Sequence, residues 1–466
     1  MKRTLGGKTS EPRKLGARTL EQFALACGGR LVGADRVYSS VSTDTRTLAA
    51  GELFVALRGP NFNGNEFVTA AEKVGAAGAV VDAEQSASIA QIVVKDTQAA
   101  LEKASYAWRT QFGIPVVGVA GSNGKTTVKE MTAGILAKAG TCLATRGNLN
   151  NHIGVPLTLF RLDAEHRFAV VEMGANHPGE LAALVRIARP TIGLITNAGA
   201  EHLEGFGSLE GAARAEGEMV EGLEPAGTAI INADDPFADL WRGLTKAKIV
   251  SFGLKAGSDF TAKDVRTDIG NEGFVTRYTL ECPLGRTSVT MNLAGRHNVS
   301  NSLCAAAAAA AAGATMEHIV SGLRAVQAVK GRLQFKKTPH GAWVIDDSYN
   351  ANPSSVHAGI EVLEQLSGKK WLVFGQMGEL GAFSGEAHTE IGTFARAHGV
   401  ERMFAVGADA QLTVKSFGAG AEWFADTTAL SAALNAALTP DVRLLIKGSR
   451  SNRLERVVES LGAKEG

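Results

Sequence analysis

Several features that mark whole classes of protein are scarce or missing in this chain. Its four cysteines, Cys27, Cys142, Cys282 and Cys304, stand apart from one another with no CxxC pair. They read as reduced, mainly packing residues of a cytosolic protein. Aromatic residues make up only 6% of the sequence, and the formal net charge is +1. A dedicated nucleic-acid surface normally carries a strong basic excess, so no nucleic-acid partner is expected. No apolar run approaches the roughly 18 residues of a membrane span. Residues 1–14 carry Lys and Arg without the apolar core of a signal peptide and read as a disordered start.

What is abundant is glycine, at 54 residues, between runs rich in Val, Ile and Leu. Tight strand-to-helix turns of that kind belong to α/β proteins. A length of 466 residues exceeds one ordinary core and suggests about three domains. Residues 19–95 mix short strands, such as Leu53–Leu57 and Gly78–Val81, with helical text. A helical pattern from Thr97 to Phe112 leads to Pro115 and the apolar strand Val116–Ala120. Strand and helix signals then alternate through 168–171, 191–196, 229–231 and 249–250. From Phe260 to Asn292 the period drops to two, which predicts antiparallel strands on the edge of this central unit. Beyond Gly331-Arg332 a new strand series (343–345, 371–374, 402–406, 443–446) predicts a second doubly wound parallel sheet. The expected fold is thus α/β in three domains. Residues 1–96 form a small mixed α/β N-terminal domain, 97–331 a central P-loop domain with a parallel sheet and antiparallel edge, and 332–466 a C-terminal Rossmann-like sheet. The alanine-rich run Cys304–Ala312 reads as a closely packed buried helix.

The sharpest chemical signal is Gly121-Ser122-Asn123-Gly124-Lys125-Thr126-Thr127, directly after the apolar strand. Backbone N–H groups of such a loop converge on an anion, and the following helix adds its partial positive charge. Lys125 supplies a cation to the β- and γ-phosphates of ATP, and the Thr126 hydroxyl is placed for Mg²⁺. The usual pattern asks for glycine where Val119 stands, so this is a variant loop with glycines at 118, 121 and 124.

A nucleoside triphosphate brings a metal ion, and ligands in such folds lie at the carboxyl ends of strands. Glu172 follows the strand 168–171, and His202 follows the next strand after the turn Asn197-Ala198-Gly199-Ala200. Taken singly each is an ordinary surface or cap residue; after a phosphate loop the pair reads as metal ligands. Asn298 and Asn301 share one face of a helix and suit hydrogen bonds to a base, or else cap that helix. Arg332, at the junction to the third segment, is placed to bring a guanidinium onto a transferred phosphate.

These residues resemble the Mur ligases of peptidoglycan synthesis over essentially the whole chain from about Leu20. The family shares the G-S-N-G-K-T-T loop, Glu172, His202, His297-Asn298 with Asn301, and Gly331-Arg332. Strings typical of the D-alanyl-D-alanine-adding branch follow in order: S-T-D-T-R (42–46), L-F-V-A-L-R-G (53–59) and G-N-L-N-N-H-I-G-V-P (147–156), then D-D-S-Y-N-A-N-P (346–353), F-G-Q-M-G-E-L-G (374–381) and K-G-S-R-S-N-R-L-E (447–455). The resemblance implies a cytoplasmic, monomeric, ATP- and Mg²⁺-dependent amide ligase acting on UDP-N-acetylmuramoyl-tripeptide and D-Ala-D-Ala. It implies that the N-terminal domain holds the uridine end, with Thr43, Asp44 and Arg46 nearby. Asn148 and Asn151 would face the muramoyl-peptide, Asn298 and Asn301 the adenine, and Asp346 or Asp347 (the latter favoured) the ribose. Tyr349 and Asn350 would line the substrate side, and a hinge near Val329–Arg332 would close the third domain over ATP. Where many family members carry a carbamylated lysine about fourteen residues after the metal-binding histidine, this chain has Glu216. That implies Glu216 acts directly as a metal ligand or supports one; the alternative is a helix-surface acid. His388 is either a dipeptide-placing residue or a surface histidine. The rival assignments are the diamino-acid-adding Mur ligase, whose D-N-P-R string is absent from 374–381, and folylpolyglutamate synthetase.

Overall fold

The computed structural model describes residues 17–200, 203–270 and 273–465, so the expected disordered start and His202 lie outside the described residues. The chain divides into two compact units. One runs up to Val116 and adds Gly140–Val171 and Ala183–Arg189; the other comprises Val117–Ala139, Glu172–Ala182 and everything from Pro190 onward.

The first unit is built on a five-stranded sheet in the order Arg30–Val32, Gln91–Val93, Gly78–Val81, Leu53–Val55, Val41–Ser42. Only the first pair is antiparallel. Phe54, Ala56, Val68, Ala79 and Val81 form the core on one face. Helix Leu20–Cys27 starts on a capping box between Thr19 and Gln22 and stops at Gly28, whose φ of 74° satisfies the last carbonyls. Helix Thr97–Arg109 starts on the Asp96 side chain, as the helical pattern predicts. The same unit holds the parallel pair Cys142–Ala144 with the start of Phe168–Glu172.

In the second unit the strands Lys248–Phe252, Thr228–Asn232, Ile192–Ile195 and Val116–Ala120 lie side by side, all parallel. The last three are buried on both faces and read as unbroken apolar runs, which is why they were visible in the sequence, whereas Lys248–Phe252 starts exposed. The alanine run lies in helix Arg296–Ala311, with Ala305–Ala309 essentially sealed from solvent. It packs on helix Lys125–Ala139, as does helix Met316–Ala325. The latter approach is close: a Cβ on Gly322 would lie 2.5 Å from the Ile135 Cα.

The period-two region forms strands Thr261–Gly270, Gly273–Cys282 and Gly285–Met291, as expected, but they make a separate three-stranded sheet. The last segment carries a seven-stranded sheet in the order Ala421–Phe424, Arg402–Val406, Lys369–Gly375, Val442–Lys447, Trp343–Asp347, Gln334–Lys337, Lys464–Glu465. The first five strands are parallel, and Gln334–Lys337 pairs antiparallel with both of its neighbours, Trp343–Asp347 and Lys464–Glu465. Gln334–Lys337, Lys464–Glu465 and Ala421–Phe424 are additions to the four strands predicted.

Candidate active site

The loop 121–124 joins strand Val116–Ala120 to helix Lys125–Ala139. Val119, at the position where the standard pattern has glycine, is fully buried inside the strand. The close approach falls instead on Gly121, at φ 117°, where a Cβ would sit 2.1 Å from Thr196 Oγ1. Gly124, at φ 84°, has the Asn301 carboxamide oxygen 2.5 Å from where its Cβ would be. Neither position admits a side chain, because the backbone conformation and the space both forbid it.

Around this loop the chain supplies a dense set of polar supports. Thr196 Oγ1 donates to Asn123 O (2.6 Å), while Asn197 accepts from Asn123 N–H (3.0 Å) and donates back to its carbonyl (3.0 Å). Ser122 N–H donates to Asn197 O, and the Ser122 hydroxyl accepts the Gly199 N–H at 2.8 Å. Lys125 folds its ammonium over the loop carbonyls of Gly121 and Ser122. Thr127 lies in the first turn of the helix, partly buried.

Three of the predicted residues meet at one hydroxyl. Glu172 is the last residue of strand Phe168–Glu172 and is fixed beside the loop strand by the Met173 N–H donating to Val119 O at 2.9 Å. Its Oε1 accepts from Thr126 Oγ1 at 3.3 Å. From the other side Arg332 Nη2 donates to the same Thr126 oxygen at 3.4 Å, with its guanidinium 4.5 Å above the Tyr349 ring. Cation–π packing of this kind holds an arginine in place without using up its donors.

Glu216 is a buried residue of helix Leu209–Glu221, which overturns the surface-acid alternative. Its Oε2 accepts the Gly121 N–H at 2.6 Å. The negative charge therefore reaches the phosphate loop itself. Asn298 and Asn301 are buried one turn apart, with Asn301 Nδ2 donating to Asn298 Oδ1 at 3.1 Å and Asn298 Nδ2 donating to Ala294 O. Burial pushes the neighbouring His297 down to about 4, Asp347 opposing and Lys447 adding to the shift.

The two candidate ribose acids are both engaged. Asp346 accepts from Lys336 Nζ (2.6 Å) and from Ser348, and is almost fully buried. Asp347, slightly more exposed, accepts from Lys447 Nζ (2.6 Å) and from the Leu333 N–H. Asn350, exposed at the strand's end, gives its carbonyl to the same ammonium at 3.0 Å. His388 is not on the surface: it is fully buried, its Nδ1–H donating to Ser384 O while Nε2 accepts the Met377 N–H at 2.9 Å. That pairing fixes one neutral tautomer, and burial lowers its basicity.

The remaining predicted residues belong to the first unit. Thr43 lies in the turn where Arg46 forms a bidentate pair with Asp44, which pulls the Asp44 carboxyl down to about 2. Asn148 is exposed, and Asn151 Oδ1 accepts the N–H groups of Ile153 and Gly154 at the start of helix Gly154–Leu159. Sequence reasoning passed over Thr196, Asn197 and Lys447. The first two stood in plain view ahead of a predicted ligand, Thr196 as the end of a strand and Asn197 as the start of a turn; no local pattern marks Lys447 as the partner of an acid 100 residues away.

The arrangement has counterparts among known proteins. Family models match residues 37–120 (Mur ligase family, catalytic domain), 119–309 (Mur ligase middle domain) and 331–450 (Mur ligase, glutamate ligase domain). The UDP-N-acetylmuramoyl-tripeptide--D-alanyl-D-alanine ligase of Escherichia coli is 42% identical over 447 residues, covering 95% of this chain and 98% of its own. A crystal structure of MurF from Acinetobacter baumannii superposes with a TM-score of 0.89 at 35% identity, covering 96% of this chain and 99% of that one. MurF ligase from Thermotoga maritima, solved in complex with ADP, gives a TM-score of 0.80 at 27% identity, covering 91% of this chain and 96% of that one. Phosphate loop, strand-end glutamate and junction arginine thus sit in a chain matched almost end to end, and this chain belongs to the Mur ligase family.

Proposed function

We propose that this chain joins D-alanyl-D-alanine to UDP-N-acetylmuramoyl-tripeptide, using ATP and an acyl-phosphate intermediate, in the last cytoplasmic peptide-adding step of peptidoglycan precursor synthesis. The observation that carries the mechanism is the convergence of Glu172 and Arg332 on the hydroxyl of Thr126. A carboxylate is a poor electrophile at neutral pH, so an amide ligase must first convert it into something with a leaving group. The N–H groups that open helix Lys125–Ala139, together with the Lys125 ammonium, hold the β- and γ-phosphates. Arg332 places a second cation beside them, where charge shifts as the tripeptide carboxylate attacks the γ-phosphorus. The amine of D-Ala-D-Ala then attacks the acyl carbon and phosphate departs.

The donor set fits Mg²⁺: a hydroxyl and a carboxylate oxygen 3.3 Å apart are hard oxygen ligands of the kind that ion prefers. Thr126 and Glu172 would hold it, with His202 and Glu216 assigned to the same ion by the family pattern. Bound there, it would neutralise charge on the transferred phosphoryl group. Adenine is assigned to Asn298 and Asn301, ribose to Asp347 rather than the more deeply buried Asp346. Thr43, Asp44, Arg46, Asn148 and Asn151 are assigned to the UDP-muramoyl-peptide, and Tyr349 and Asn350 to the substrate side of the third domain. Residues 1–96, 97–331 and 332–466 are the domains for the UDP substrate, ATP and dipeptide. The enzyme works as a cytoplasmic monomer, without nucleic acid or membrane.

Phosphate release measured with the UDP-tripeptide, with and without D-Ala-D-Ala, tests this reading. Sustained turnover that requires both is the expected result. Turnover supported by a free diamino acid or by glutamate, in place of the dipeptide, would move the assignment to another amide ligase of the superfamily.

A further inference from the structure

The phosphate loop is tied to the last segment of the chain by a closed ring of hydrogen bonds. Asn352 Nδ2 donates to Asn123 Oδ1 (2.8 Å), Asn123 Nδ2 donates to Ser354 Oγ (3.0 Å), and Ser354 Oγ donates to Asn352 Oδ1 (3.2 Å). Each side chain gives one hydrogen bond and accepts one, so the three bonds polarise in the same sense around the ring. The residues joined are 229 and 231 positions apart.

Both sides of the ring are stiffly mounted. Asn123 is the middle of the loop, and its backbone is already clasped by Thr196 and Asn197. Asn352 is 5% exposed and caps helix Pro353–Glu364, its Oδ1 also accepting the Ser355 N–H at 2.9 Å. Proline at the first helical position fixes the backbone there. Moving the helix start away from the loop therefore breaks two hydrogen bonds at once, one of them from the buried Asn352 amide.

We propose that Asn352 and Ser354 are positioning residues that dock the last segment on the phosphate loop, so that the acyl phosphate formed there is reached by the dipeptide amine rather than by water. The inference rests on the amide-ligase reading above. With the ring intact the acyl phosphate meets the dipeptide amine. With the ring open, water attacks the same acyl carbon, the bond to the phosphate oxygen breaks, and carboxylate and inorganic phosphate leave with no amide made. ATP is then spent without product.

Two substitutions open the ring while sparing the helix cap. Asn352→Ser keeps a capping oxygen for the Ser355 N–H but is too short to bring a donor to the Asn123 oxygen, and Ser354→Ala removes the hydroxyl from the ring. Phosphate and amide product are measured separately on the full chain with saturating ATP, UDP-tripeptide and D-Ala-D-Ala, alongside thermal midpoints. The native chain is expected to release one phosphate per amide bond. Both variants should raise that ratio about twofold or more and lower kcat for amide formation about tenfold, with KM for the UDP-tripeptide little changed. Ser354→Thr, which keeps the hydroxyl, should restore the ratio lost in Ser354→Ala. A residue that merely supports the fold would shift the thermal midpoint and leave the ratio alone. A native ratio in both ring-opening variants overturns the role of the ring; a native chain that makes no amide overturns the ligase reading and the proposal with it.

Discussion

Thr126 carries a single hydroxyl, and a carboxylate and a guanidinium both reach it, so at the scale of residues the site is a balance of charge around one oxygen. Removing the neighbouring cation of the loop, Lys125, should be costly. Lys125→Met is expected to lower amide formation about 10²–10³-fold, the range for deleting one preorganised charge-stabilising group, with the thermal midpoint held. Glu216 separates two roles. Glu216→Gln keeps an acceptor for the Gly121 N–H, whereas Glu216→Ala removes both acceptor and charge. If the charge supports the metal, both variants need more Mg²⁺ for half-maximal rate, and only the alanine also loosens the loop. An unchanged Mg²⁺ requirement in both would sink the metal assignment. His297 makes a pH prediction. Its folded value is depressed to about 4, against about 6.5 unfolded, so between those values the unfolded chain holds a proton that the folded chain refuses. The stability it leaves intact above pH 6.5 is lost as pH falls toward 4, by up to about 3 kcal/mol. Urea midpoints at pH 5 and 7.5 should differ less in His297→Gln than in the native chain. Lys125, Glu172 and Arg332 were legible because each sits at a strand end, a helix start or a segment junction that the sequence marks. His388 was not: nothing local distinguishes a buried histidine clamped by Ser384 and Met377 from an exposed one.

Among the elements, the apolar strands that carry the site were the readable ones. Val116–Ala120, Ile192–Ile195 and Thr228–Asn232 are buried on both faces, and their runs of Val, Ile and Leu announce it. Gln334–Lys337, Ala421–Phe424 and Lys464–Glu465 went unread because two of them edge their sheet and all are short, with charged residues that carry no clean period. The period-two segment was correctly read as antiparallel, yet its separation into a sheet of its own depends on partners that local patterning does not encode. Helix packing yields a stability test. Helix Lys125–Ala139, which opens at the end of the glycine loop, is crossed tightly by helix Met316–Ala325 at Gly322, and Gly322→Ala would press a methyl onto the Ile135 backbone. Overpacking of this kind typically costs about 1–3 kcal/mol, and an unfolding free energy lowered by that amount in urea denaturation is expected. A neutral result would mean that the two helices slide apart freely.

For the whole molecule, motifs named the reaction, but the contacts that organise it join distant parts of the chain. The Lys447–Asp347 pair and the Asn123–Asn352–Ser354 ring each link segments 100 or more residues apart, and no window of sequence contains both partners. What they organise is a transfer of phosphate to a peptide carboxylate, and that transfer leaves an isotopic trace. If the tripeptide's terminal carboxylate attacks the γ-phosphorus, the oxygen that makes the new bond departs with the phosphate when the amine displaces it. UDP-N-acetylmuramoyl-tripeptide labelled with ¹⁸O in that carboxylate, turned over with ATP and D-Ala-D-Ala, should yield inorganic phosphate carrying one ¹⁸O for each amide bond formed. Unlabelled phosphate alongside amide product would contradict the acyl-phosphate route.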